Sequence, residues 1–250
     1  MVSGASRRVL LGWLQNGGSS NGNFGHDSAE NTLTLPRDLS LAKDGSMRQA
    51  YIPELQKLRS AEPLYYAKNV VFPPPSGSPP GSYAGAKVLL AKGLQLEISA
   101  RIRWDAADRR SVFGLLVLNG EGERTALGFD LARGQVFIDR RQSSANRTDA
   151  DVRAGPMPRA LSEPNVVHLH AYVDHSIVTL IAENQTALTV YVHPISASST
   201  GVALFNSHSA ADSDVDGAGA GGEEAGLVVA EQISIWSVKS VVSSERLGTL

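Results

Sequence analysis

The chain has 250 residues, 42% of them hydrophobic, with 23 basic and 25 acidic side chains for a net charge of −2, and no cysteine. That length and apolar content suffice for one large all-β domain or two smaller ones and exclude disorder throughout. The near-neutral balance leaves no electrostatic footprint for nucleic acid or an anionic membrane, and the missing cysteine removes disulfides, thiolate metal sites and cysteine nucleophiles.

Residues 1–62 read as a first unit of short strands between polar turns. Arg7-Arg8 followed by Val9-Leu10-Leu11-Gly12-Trp13-Leu14 mimics a signal peptide, yet the apolar run is short and no small-residue cleavage site follows, so 8–15 is expected as a strand. After a Gly/Asn/Ser-rich loop at 16–31 comes a strand over 32–41, which Pro36 confines to an edge or a bulge. Asp44-Gly45 marks a turn, and 52–59 reads as one short helix with Pro53 at its first position. A unit of this size cannot hold a complete core. Residues 63–92 are expected as a linker or loop whose centre, 72–85, is rich in Pro and Gly; loose spacing and missing basic flanks weigh against a ligand for an SH3-type module. No stretch approaches the ~18 apolar residues of a membrane span.

The residues of 93–242 are expected to form an antiparallel β-sandwich. Over 94–104 alternation is unbroken, with Leu94, Leu96, Ile98, Ala100, Ile102 and Trp104 on one face and Gln95, Glu97, Ser99, Arg101 and Arg103 on the other. Further strands are expected over 112–118, 125–130, 135–139, 166–173, 177–182, 187–192, 202–205 and 228–238, with turn residues between them. Trp104, Phe113, Phe129, Phe137, Phe205 and Trp236 are assigned to the core rather than to a binding platform.

Asp174-His175-Ser176 has the residue types of a hydrolytic triad. Consecutive strand residues point to alternating faces, so the three do not converge, and no catalytic residue is assigned. His168 and His170 share a strand face at the spacing of a metal pair, but no third ligand accompanies them; they are expected to face solvent, and no metal or cofactor is assigned. Between 207 and 226 Ser, Ala, Asp and Gly dominate, too polar to order itself. Asp212, Asp214, Asp216, Gly217 and Glu223 match the spacing of a calcium loop, but strands flank it where helices are needed, so a solvated acidic loop is the preferred reading. Asn146 and Asn184 begin glycosylation sequons, which matter only if the chain enters a secretory pathway.

Several segments together resemble the invertase-type glycoside hydrolases of family 32. Arg7 to Trp13, Thr34-Leu35-Pro36-Arg37-Asp38-Leu39-Ser40-Leu41, Asp44 to Gln49 and Ile52-Pro53-Glu54-Leu55 resemble the family's last propeller blade. Val136 to Arg140 with Ser143, Val173-Asp174-His175-Ser176-Ile177-Val178 and Tyr191-Val192-His193-Pro194 resemble its C-terminal sandwich. The resemblance implies an all-β fold: a concanavalin- or lectin-like antiparallel β-sandwich preceded by a remnant of the last blade of a five-bladed β-propeller. It also implies retaining hydrolysis of fructosyl bonds in sucrose or fructan by the complete enzyme, and a secreted or vacuolar setting.

Retaining hydrolysis needs two carboxyl groups about 5–5.5 Å apart. The family's Asn-Asp-Pro, Arg-Asp-Pro and Glu-Cys motifs are all absent, and Asp38 is followed by leucine, so no catalytic residue is carried over. Ala29 and Asn31 replace the family's Trp and Gly, Thr179 its usual Glu, and Gln185-Thr186 its Gly-Arg. The chain alone is expected to be catalytically incomplete. Two alternatives stay open: a stand-alone carbohydrate-binding module, and a structural module that forms homo-oligomers through open sheet edges.

Overall fold

Strands that alternate apolar and polar residues have one face to hide, and stacking two such sheets hides both. A computed structural model of the chain, which describes residues 7–15, 31–73, 83–145, 151–159, 161–208 and 226–239, has this architecture. The N-terminal unit holds β1 (Arg8–Leu10), β2 (Trp13–Gln15), β3 (Asn31–Leu33), β4 (Arg37–Leu41) and β5 (Met47–Tyr51), then a 3-10 helix at Pro53–Leu58. β1, β4 and β5 form a three-stranded antiparallel sheet, and β2 pairs with β3. Both long strands expected here are broken in two. The first turns at Leu11-Gly12; the second breaks around Pro36, which has no N–H to give to a ladder. The expected helix is present as the 3-10 turn, with proline at its start.

The sandwich contains β6 (Tyr65–Val71), β7 (Lys87–Lys92), β8 (Gln95–Trp104), β9 (Ser111–Asn119), β10 (Thr125–Asp130) and β11 (Gln135–Asp139). It continues with β12 (Val152–Pro156), β13 (Val166–Asp174), β14 (Ile177–Ala182), β15 (Thr186–Tyr191), β16 (Gly201–His208) and β17 (Val228–Ser237). Two six-stranded antiparallel sheets result, in the orders β12-β11-β10-β9-β16-β7 and β15-β14-β13-β8-β17-β6. We call these the first and second sheets.

The sandwich begins earlier than its alternation announces. β6 and β7 fall inside the stretch expected as a linker, and of that stretch only 74–82 lies outside the described residues. β6, β7 and β12 are edge strands, and edges carry outward polar residues, here Lys68, Asn69, Lys87, Lys92 and Arg153, that blur the period-two signal. The expected acidic loop loses Ser207 and His208 to β16, and the rest of the candidate calcium segment, with Asp212, Asp214, Asp216 and Glu223, lies outside the described residues, as does Asn146.

Between the sheets, Leu96, Ile98, Ala100, Ile102 and Trp104 of β8 meet Phe113, Leu115 and Val117 of β9, and Leu169, Ala171 and Val173 of β13 complete the layer. The rings of Trp104, Phe113 and Phe129 stand 5.7 to 6.0 Å apart at its centre. Phe137 and Phe205, expected beside them, are buried elsewhere. Val136, Ile138 and Leu204 take the inner positions of their strands, so the two phenylalanines point outward and pack with Tyr83 over the far face of the first sheet. Trp236 is only half-buried, on the outer face of the second sheet.

Candidate functional site

Part of the polar face of the second sheet is covered rather than open to solvent. Tyr51 and Leu55 of the N-terminal unit pack there against Tyr172 and Ile181, with Leu35, Ile52 and Leu58 around them. Tyr51 sits edge-on to both His170 and Tyr172, at 4.7 and 4.6 Å between ring centroids. This covering explains a residue that strand alternation places outside: Glu97 is 0% exposed.

Glu97 is the hub of the seam. Arg59, just past the 3-10 helix, reaches it with two hydrogen bonds, Nε to Oε2 at 2.7 Å and Nη2 to Oε1 at 2.6 Å. His170 Nε2 lies 2.7 Å from Oε1. The guanidinium of Arg59 also caps Trp236, with Cζ 4.1 Å from the ring centroid. Burial alone would raise the Glu97 carboxyl, but hydrogen bonds from Arg59, His170 and Tyr172 outweigh it and hold the group down at about 2. His168 pairs with Ser99 Oγ at 2.8 Å; burial, then the neighbouring His170, lowers its basicity. The two histidines expected to face solvent are therefore covered and paired with residues of β8.

A second contact joins the unit to the turn between β14 and β15. Gln49 N donates to Asn184 O and its Nε2 to Gln185 O, both at 2.7 Å, and Arg48 Nη1 donates to Glu183 O at 3.1 Å. Glu183 and Asn184, the central residues of the turn that Gln185 N closes on Ala182 O at 2.9 Å, have φ of 50° and 54°, the left-handed conformation that suits a hairpin. The Glu183 carboxylate, 6% exposed, accepts the His168 N–H at 2.6 Å and bonds from the N–H and hydroxyl of Ser162. Asn184, the second sequon, is exposed in this turn.

Asp174-His175-Ser176 forms no catalytic constellation. β13 ends at Asp174 and β14 starts at Ile177, so the three sit at a hairpin turn, not along a strand. His175 has φ of 52° and its N–H donates to Leu94 O at 2.7 Å; Asp174 accepts from Gln95 Nε2 at 3.1 Å; Ser176 O accepts from Val192 N at 2.8 Å. Each partner is a neighbouring strand end rather than another member of the trio.

The buried carboxylates of Glu123 and Asp139 are saturated too. Glu123 accepts the N–H groups of Ala145, Ile195 and Ser196 at 2.8 to 3.0 Å and the Ser199 hydroxyl at 2.7 Å. Asp139 binds Tyr83 Oη at 2.7 Å and Arg141. In both, burial pushes the carboxyl up and these hydrogen bonds more than reverse it, so the groups stay ionised and are poor proton donors. Among the described residues no group of three or more His, Cys, Asp or Glu is arranged to hold a metal.

Fold and site define a β-sandwich module that carries a small strand unit clamped to one sheet. The comparisons with known proteins agree. Residues 54–218 match the family model described as "Glycosyl hydrolases family 32 C terminal", so the chain belongs to glycosyl hydrolase family 32. It is 27% identical over 186 residues to a levanase of Bacillus sp. (strain L7), covering 71% of this chain and 18% of the relative. It is 26% identical over 196 residues to the extracellular exo-inulinase of Aspergillus niger, covering 74% of this chain and 34% of the relative. Among solved structures it is similar to the exo-inulinase of Aspergillus awamori, with TM-score 0.68, 19% identity and coverage of 93% of this chain and 40% of the other. Fructan 1-exohydrolase IIa of Cichorium intybus gives a TM-score of 0.67, 18% identity and coverage of 94% and 46%. The chain thus spans less than half the length of these relatives.

Proposed function

We propose that these residues are the supporting C-terminal portion of a hydrolase of fructosyl bonds in fructan or sucrose, with the reacting carboxylates carried by a part of the enzyme outside them. The observation that carries this reading is the seam: a strand unit too small for its own core is held to the sandwich by Arg59 and Glu97. The work of the sandwich is to orient that unit, and through it whatever packs on its far side. Val9, Leu11, Trp13, Leu33, Leu41 and Met47 of the unit are at least half exposed, which suits further packing. The carboxylates of the seam do not fit acid–base work, because Glu97 is ionised down to about pH 2 and shut away from solvent.

The relatives' names, levanase and exo-inulinase, support fructan as the substrate class of the complete enzyme. Incubating the purified chain with sucrose, inulin and levan tests the reading. No fructose is expected; release that co-purifies with the chain and saturates with substrate would overturn it. Calorimetric titration with the same sugars addresses the sugar-binding alternative, for which no heat is expected.

A further inference from the structure

At the end of the sandwich where β8 hands over to β9, three side-chain oxygens are buried with no hydrogen-bond partner among the described residues: Asp108 Oδ2, Ser111 Oγ and Asn206 Oδ1. The two neutral residues are 0% and 4% exposed. Ser111 pairs with His208 and Phe113 with Asn206 on adjacent strands, and Phe113 belongs to the layer between the sheets. Ser111 and Asn206 therefore share the inward face as diagonal neighbours, a separation that side chains can bridge. Asp108 Oδ1 accepts the N–H of Ser111 at 3.0 Å, which anchors its carboxylate beside the serine. Gly226 closes over the same corner: a Cβ there would stand 2.9 Å from Asp108 Oδ2 and 3.0 Å from Asp105 Cβ.

Buried polar atoms in folded proteins are paired, so a cluster of orphans marks a missing partner. Asn206 Oδ1 and a carboxylate oxygen are acceptors only, and a hydroxyl oxygen can also accept, so the partner must be electron-poor. We propose that this corner is a site for a hard, oxygen-seeking cation, with calcium the fitting ion, held by Asp108, Ser111 and Asn206. Calcium takes mixed carboxylate and neutral oxygens in irregular geometry and completes its shell with water, whereas magnesium demands near-ideal octahedra. The chain between His208 and Gly226 carries Asp212, Asp214, Asp216, Glu223 and Glu224 and no basic residue, and this negative charge favours a cation at its roots.

The test titrates calcium chloride into the full, chelator-treated chain while following heat and thermal unfolding. One saturable site is expected, with an unfolding midpoint that climbs with calcium, as for any ligand of the folded state alone. Asp108→Asn and Asn206→Ala should each weaken binding at least about tenfold. Asp108→Asn keeps the acceptor for the Arg110 and Ser111 N–H groups, so its unfolding in chelator should match that of the unchanged chain. A variant with Asp212, Asp214, Asp216 and Glu223 turned to amides should keep the site. Two results overturn the proposal: no saturable calcium response, which would leave buried water as the partner, or a response lost in the amide variant and intact in Asp108→Asn.

Discussion

Glu97 shows how much one side chain's meaning depends on what lies over it. Removing Arg59 (Arg59→Met) strands a fully buried carboxylate and should cost ~3–5 kcal/mol in urea unfolding. Glu97→Gln should cost less, because Arg59 retains partial exposure and can turn to water; the reverse order of the two variants would refute the hub role. Tyr51 gives a contrast. Its ring packs the seam but its hydroxyl is buried with no partner among the described residues, so Tyr51→Phe should change stability by under about 1 kcal/mol or improve it. The pH dependence follows from two groups with lowered folded values. Glu97 adds stability that is complete above the ordinary glutamate range, near 4.5, and is lost as pH falls through about 2. His168, lowered by burial, adds stability that is complete above about 6.5 and shrinks on acidification below that. Thermal midpoints should therefore fall in two stages as acid is added, and His168→Asn should flatten the upper one.

Two turns organise the elements around the seam. In the hairpin joining β13 and β14, His175 holds a φ that branched or bulky residues resist and glycine accepts freely. His175→Gly should be neutral or stabilising, whereas His175→Val should cost ~1–2 kcal/mol, measured by chemical unfolding. A large loss from the glycine variant would mean that the imidazole itself has a role, which its contacts do not suggest. The turn at Glu183 and Asn184 is an anchor point: its backbone receives Gln49 and Arg48, and its carboxylate fixes Ser162 and the start of β13. The faces of β8 and β13 and most strand bounds were legible in the alternation, because apolar residues at every second position need a single buried face, whereas the faces of β11 and β16, with Phe137 and Phe205, were not. β6, β7 and β12 were not, since edges need only half the hydrogen bonding and tolerate charge.

At the scale of the molecule, the N-terminal unit and the sandwich depend on each other. A version starting at residue 61 would uncover Glu97, His170, Tyr172 and Ile181 together. It should unfold at lower temperature than the full chain and bind a hydrophobic dye; equal stability would show that the unit is merely tethered. The sequence by itself determined the all-β class, the inward faces of β8 and β13 and the family to which the chain belongs, because these rest on period-two patterning and local motif order. Only the tertiary structure decided which polar faces are covered. It turned His168, His170 and Glu97 from an apparent solvent face into a buried seam, moved Phe137 and Phe205 to an outer layer, and left Asp174, His175 and Ser176 at a turn. Covering of one element by another depends on contacts between residues far apart in the chain, and no local pattern records those.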